Sequence, residues 1–139
     1  MRIAFGTDDI TDLTRSMLEH LSSLGHEVVT VAEGQAWPEV GRGVGESVAS
    51  GTADCGVVCC YTGTGVSIAA NKLSGVRAAL CTDAATAAGA RKWNDANVLC
   101  VGLRLSSEVV AKEMIDAFLG ATPDPSELDA VSRLERPLK

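Results

Sequence analysis

Ala53-Asp54-Cys55-Gly56-Val57-Val58-Cys59-Cys60 runs straight into Tyr61-Thr62-Gly63-Thr64-Gly65-Val66-Ser67. The first half is an almost unbroken apolar run of strand length, the pattern of a strand covered on both faces. The second half is a glycine turn opening a helix that contains Ile68, Ala69, Ala70, Asn71 and Lys72. A doubly covered strand that turns at once into a helix is the repeating unit of a parallel sheet.

The same alternation recurs on both sides. Arg2–Phe5 predicts a first strand, and a helix from about Ile10 to Leu24 puts Leu13, Met17, Leu18 and Leu21 on one face. Gly25 stops that helix, and Glu27–Val31 predicts the second strand. Trp37-Pro38 reads as part of a loop leading to a helix that ends at Val48. Beyond the turn, Ala78–Cys81 predicts a fourth strand, Asp83 caps a helix to about Lys92, and Asn97–Val101 predicts a fifth strand. Ser107–Leu119 follows as a helix, Pro123 and Pro125 break the chain, and Ser126–Leu134 reads as a last amphipathic helix. The expected fold is a Rossmann-like three-layer α/β sandwich, with a five-stranded parallel sheet and helices on both faces. It forms a single domain over residues 1–139. Such sheets bind ligands beyond the carboxyl ends of their strands, which selects the segments after Phe5, Cys60, Cys81 and Val101.

With 139 residues, 46% of them apolar, the chain can bury roughly two thirds of its unfolded surface without disulfides or metal. Its net charge of −6, with the positive residues scattered, excludes a nucleic-acid binder, which needs a basic stripe. No apolar run approaches the roughly 20 residues of a membrane span. Met1–Gly6 reads as a strand and not as a signal peptide, so a cytoplasmic location is expected. The cysteines at 55, 59, 60, 81 and 100 lie in or beside apolar runs, as small buried thiols of a reducing compartment do. No Cys-x-x-Cys pair occurs, and the adjacent Cys59 and Cys60 would point to opposite strand faces, so no metal site is expected.

The turn carries the densest chemical signal. Its glycines let backbone approach a ligand, and the new helix offers free N–H groups to an anion, either a phosphate or an enolate. A tight connection without a ligand is the other reading. The turn is not a dinucleotide fingerprint, because it follows the third strand, and no phosphate-loop lysine follows it. Cys60 stands where strand meets helix, where free N–H groups favour a thiolate. It is open between a base or nucleophile and a buried structural cysteine.

The residues resemble a known family, ribose-5-phosphate isomerase B together with the galactose-6-phosphate isomerase subunits. The resemblance covers nearly the whole chain. It rests on Gly6-Thr7-Asp8, Leu24-Gly25-His26-Glu27-Val28, Pro38, Thr62-Gly63-Thr64-Gly65 and Ser67-Ile68-Ala69-Ala70-Asn71-Lys72. Gly75-Val76-Arg77-Ala78-Ala79-Leu80-Cys81, Asn94-Asp95-Ala96-Asn97-Val98-Leu99-Cys100 and Gly102-Leu103-Arg104 complete the ordered set. The family interconverts aldoses and ketoses through an enediolate, without metal or cofactor. The resemblance implies that Cys60 is the base, with Thr62 and the amides of Gly63, Thr64 and Gly65 beside the enediolate. Asp8 and Asn94 match positions that hold the sugar, and Tyr61, Ser67, Trp93 and Arg104 are further candidate contacts. The branch that uses a glutamate as base has it at the position of Val66. Family members assemble as dimers or tetramers with sites between subunits, so a homo-oligomer is expected, its C-terminal helix reaching a partner. Leu128, Val131 and Leu134 would then need a surface to bury them.

The departures fall on chemistry. Asp9 stands where the family has a histidine after Asp8, and Trp93 stands where it has a ring-opening histidine. Tyr61 replaces a glycine, and the tail Pro123–Asp129 is acidic where the family carries arginines that grip phosphate. Arg104, Arg133 and Arg136 remain. Asp9 is open between an acid–base role beside Asp8 and simple hydroxyl binding or helix capping, and Trp93 between stacking on sugar and loop packing. The reading that follows is a cofactor-independent aldose–ketose isomerase acting on an atypical sugar or related carbonyl compound, phosphorylated or free. The alternative is a non-catalytic sugar-binding homologue or a partner subunit of a hetero-oligomer.

Overall fold

The computed structural model describes residues 1–135. Strands β1 (Arg2–Thr7), β2 (Glu27–Glu33), β3 (Cys55–Cys60), β4 (Ala78–Leu80) and β5 (Val98–Gly102) alternate with helices α1 (Asp12–Ser23), α2 (Trp37–Ala49), α3 (Thr64–Asn71), α4 (Ala84–Asn94) and α5 (Glu108–Gly120). The sheet is parallel throughout, in the order β2-β1-β3-β5-β4. All six residues of β3 are buried, as its apolar run predicts for the central strand.

Two apolar layers flank the sheet. On one face α1, α4 and α5 bury Met17, Leu21, Ala87, Ala90, Met114, Ile115 and Phe118. On the other, α2 and α3 bury Val40, Val44, Val66 and Ala70. The chain therefore changes face between the α1 and α2 crossovers, which opens a crevice between the carboxyl ends of β1 and β3.

Three expectations need correcting. Trp37 and Pro38 do not sit in a loop; they form the first turn of α2, where proline's fixed φ and missing N–H cost nothing. β1 and β2 run two residues past Phe5 and Val31, because the ladder continues from Phe5↔Thr30 through a bulge to Thr7↔Glu33. The last helix is broken into pieces. A 3₁₀ turn at Pro125–Glu127 leads to α6 (Leu128–Ser132), then a second 3₁₀ turn at Arg133–Glu135. Asp124 starts this segment by accepting bonds from the Ser126 backbone and hydroxyl, at 2.9 and 2.8 Å. The tail then folds back onto the loop that precedes β4. The Glu135 carboxylate accepts from Gly75 N at 2.7 Å and Ser74 Oγ at 2.9 Å. Leu128 and Leu134 are exposed in the single chain. Arg136 lies outside the described residues.

The short edge strand β4 is fixed by side chains. Asn71 donates to Ala78 O and accepts from Ala78 N, at 2.9 and 2.8 Å. Asn97 does the same for the preceding loop, accepting from Arg77 N at 2.7 Å and donating to Gly75 O at 2.9 Å. Asp95 caps α4 in the left-handed region at φ 47° and receives both Arg77 and Arg91 at 3.2 Å. The Asn94–Asn97 motif thus includes two residues that build the fold.

Candidate active site

Gly63 makes the turn. Its φ of +78° is left-handed, and a β-carbon there would lie 2.9 Å from Gly102 N and 3.0 Å from Val101 C. A β-carbon at Gly102 would in turn meet Thr62 O at 2.5 Å. The turn is therefore pressed backbone to backbone against the end of β5, which only glycine permits. Leu103 N donates to Cys60 O and Arg104 N to Tyr61 O, both at 2.9 Å, extending the ladder past the strand ends. The Thr62 and Thr64 hydroxyls are bonded to each other at 2.7 Å. As in any helix, the first N–H groups of α3 have no partner within the helix and point out past this turn.

A cavity of about 400 Å³ opens here, lined by Asp8, Trp37, Cys60, Tyr61, Thr62, Thr64, Gly65 and Ile68. It sits at the crevice between β1 and β3. Cys60 is almost wholly buried, yet its residue contributes to the wall. The other four cysteines are buried outside this cavity. Burial pushes the Cys55 and Cys81 thiols up to about 11, and pushes Cys59 and Cys100 up further. These four are held as thiols, and Cys60 is the cysteine that lines the cavity.

Asp8 enters from the end of β1, its N–H bonded to Cys59 O at 3.3 Å. Its Oδ1 is buried and has no hydrogen-bond partner. Burial first, and the neighbouring Asp9 charge second, raise the Asp8 carboxyl above its ordinary range. A proton on Asp8 would relieve both. Asp9 is exposed, and its backbone carbonyl accepts from the buried Thr7 hydroxyl at 2.6 Å.

Other expected contacts are placed elsewhere. Ser67 lies on the Cys100 side of the helix and does not line the cavity. Arg104 stands over the Tyr61 ring, 5.5 Å from its centroid, just outside the cavity wall. Trp93 lies flat on Gly89 of its own helix, whose β-carbon would meet the ring at 2.7 Å. With Asn94 it lines a second groove, of about 640 Å³, bounded by β4 and α4. The Cys60 cavity and this groove share no residue, so one chain alone does not bring Trp93 and Asn94 to Cys60. Trp37 and Ile68 are the wall residues that the sequence reading misses. Trp37-Pro38 could have signalled a helix start, since proline suits the first turn, but not a place in the wall.

A family model for Ribose/Galactose Isomerase matches residues 3–135. The chain belongs to the ribose/galactose isomerase family. It is 39% identical over 132 residues to galactose-6-phosphate isomerase subunit LacB of Clostridium acetobutylicum, covering 91% of this chain and 76% of that one. It is 38% identical over 125 residues to ribose-5-phosphate isomerase B of Escherichia coli, covering 86% and 84%. Ribose-5-phosphate isomerase B of Clostridium thermocellum superposes with a TM-score of 0.90 at 34% identity, covering 97% of this chain and 95% of that one. As a ribose/galactose isomerase family member, the chain is a sugar isomerase of the intramolecular oxidoreductase type. None of the helices among the described residues is long and apolar enough to cross a membrane.

Proposed function

We propose that this isomerase shifts a carbonyl along a sugar through an enediolate, with Cys60 as the base and no cofactor. The Cys60 thiolate removes the proton from the carbon next to the carbonyl. The C–H electron pair becomes the new C=C bond, and charge moves onto the carbonyl oxygen. Unpartnered N–H groups at Gly63–Gly65 and the Thr62 hydroxyl stabilise that oxygen, as preorganised donors do at a developing anion. The Asp8 carboxyl relays a proton to this oxygen from the neighbouring hydroxyl. Cys60 returns its proton to the other carbon, so no atoms are gained or lost. The single observation that carries the reading is the shared cavity holding one buried thiol, one buried orphan carboxyl oxygen and a glycine turn at a helix start.

The substrate is a sugar or related carbonyl compound whose recognition does not depend on a phosphate grip. Among the described residues no lysine or arginine lines the Cys60 cavity, and Asp8 and Asp9 would repel a dianion. Arg104 is tied to the turn through its backbone N–H on Tyr61 O, and its guanidinium stands over the Tyr61 ring. A second copy of the chain completes the site by bringing Trp93 and Asn94 over the cavity, Trp93 serving as a stacking surface where an imidazole would open a ring. This assigns a homo-oligomer working on open-chain material in the cytoplasm. The test is proton exchange in D2O at C1 and C2, followed by NMR, over matched free and phosphorylated aldoses and ketoses of four to six carbons. Exchange with free sugars at least equal to their phosphates is expected. Exchange confined to phosphates contradicts the substrate assignment, and exchange with none contradicts the standalone isomerase in favour of a partner-dependent or binding role.

A further inference from the structure

Trp37, Gly41 and Gly45 are spaced four apart and therefore share one face of α2. That face packs on α3 with almost no gap. A β-carbon at Gly41 would lie 2.7 Å from Ala69 Cβ and 2.8 Å from Val66 O, and one at Gly45 would lie 2.6 Å from Leu73 Cδ1. The two helices are thus fixed against each other by their glycines, and the same face ends, at the mouth of the crevice, in an indole. The ring sits on Gly65: a β-carbon there would meet Cδ2 and Cε3 at 2.8 Å and Cγ at 3.3 Å. Three contiguous ring atoms near one point mean that the ring lies flat on the glycine. Gly65 belongs to the first turn of α3, and both residues line the Cys60 cavity.

We propose that Trp37 is a specificity-determining residue, a fixed aromatic wall of the Cys60 cavity that stacks on the carbon backbone of the substrate and limits its length. This rests on the isomerase reading given above. Sugars present C–H faces that aromatic rings cover well, while their hydroxyls point to the edges. Trp37 is still 46% exposed, so part of it is available to a ligand. Ile68 and Tyr61, both largely exposed, continue the apolar wall around the mouth. Close helix packing fixes the backbone that carries Trp37, and the ring's seat on Gly65 places it where a longer chain would have to pass. It acts by contact and exclusion and takes no proton.

Two measurements test this with Trp37→Phe and Trp37→Ala, the first keeping a smaller ring in case the second unfolds. The first needs no substrate. Cys60 is alkylated with iodoacetamide and with the bulkier N-benzyliodoacetamide, and labelling is read by peptide mass spectrometry. The wall predicts that the bulky reagent is strongly disfavoured in the parent protein. That ratio should relax about tenfold in Trp37→Ala and by an intermediate factor in Trp37→Phe, and an unchanged ratio in both overturns the proposal. The second follows the sugar that exchanges fastest in D2O. Trp37→Ala should raise KM about tenfold, the loss of one aromatic contact, with kcat within threefold, and should extend exchange to a sugar one carbon longer. A fall in kcat at constant KM with unchanged length preference overturns it. If the parent protein deuterates no sugar, the isomerase reading fails, and the alkylation ratio still decides whether Trp37 is the wall.

Discussion

Replacing Gly63 with alanine separates two demands of the turn, since Gly25 has a similar φ of +86° but nothing within 4 Å of its missing β-carbon. Forcing alanine into the left-handed region costs about 1–2 kcal/mol at either position. At Gly63 the new methyl also lies 2.5 Å from Leu80 Cδ1, 2.9 Å from Gly102 N and 3.0 Å from Val101 C. The leucine methyl can move, but the other two atoms are β5 backbone held in the ladder with β3. Overpacking against fixed neighbours adds about 1–3 kcal/mol, so Gly63→Ala should lose about 2–5 kcal/mol in total. With a urea slope of about 2 kcal/mol/M, its unfolding midpoint should fall by about 1–2.5 M, against about 0.5–1 M for Gly25→Ala. Gly63→Asn tolerates the left-handed backbone but keeps a β-carbon, so it should retain the packing part of the loss. Equal losses at positions 63 and 25 would refute the claim that the turn is pressed against β5.

Gly65→Ala should destabilise by pushing into the Trp37 ring, and adding Trp37→Ala should recover most of that loss; simple additivity in urea melts would count against the flat stacking of ring on glycine. Asp8→Asn should change the pH dependence of stability. Because the folded Asp8 carboxyl titrates above its unfolded value, the unfolded chain ionises first, and the native protein loses stability as pH rises from about 4 through the raised value. Asp8→Asn should therefore have the higher melting temperature at pH 7, with the advantage vanishing below about pH 4, while sugar exchange is lost; a variant less stable at pH 7 would contradict an uncompensated carboxyl.

Most of the fold is legible in the sequence because its signals are local. The continuous apolar run of β3, the caps at Asp83 and Ser107, and Gly25 after α1 each name an element directly, and each is found in place. The errors arise where tertiary contacts decide. Strand β1 reaches Thr7 because β3 pairs with it to that point and β2 bulges to follow it, which residues 2–7 alone do not encode. The tail breaks into short turns because Pro125 and the Asp124–Ser126 bonds favour a local 3₁₀ turn over one long helix.

The site was half legible. Cys60, Thr62 and the glycines are contiguous, so one motif delivers them together. Asp8 joins them through the switch between β1 and β3, which follows from strand order. Trp37 was invisible as a wall, because nothing in its own neighbourhood reports that Gly65 lies beneath it; two helices and their glycine contacts make that meeting. Ser67 sits in the right motif yet faces Cys100, since the helix turns it away from the cavity that Thr64 and Gly65 line.

The proposed chemistry stands most directly on Cys60 as the base. The decisive measurement is deuterium incorporation at C1 and C2 of the most responsive sugar, comparing the parent protein with Cys60→Ala at equal concentration and confirmed equal folding. The account predicts exchange in the parent protein and at least a thousandfold loss in Cys60→Ala, the order expected when a positioned base is removed. Exchange persisting in Cys60→Ala at a rate near that of the parent would contradict it.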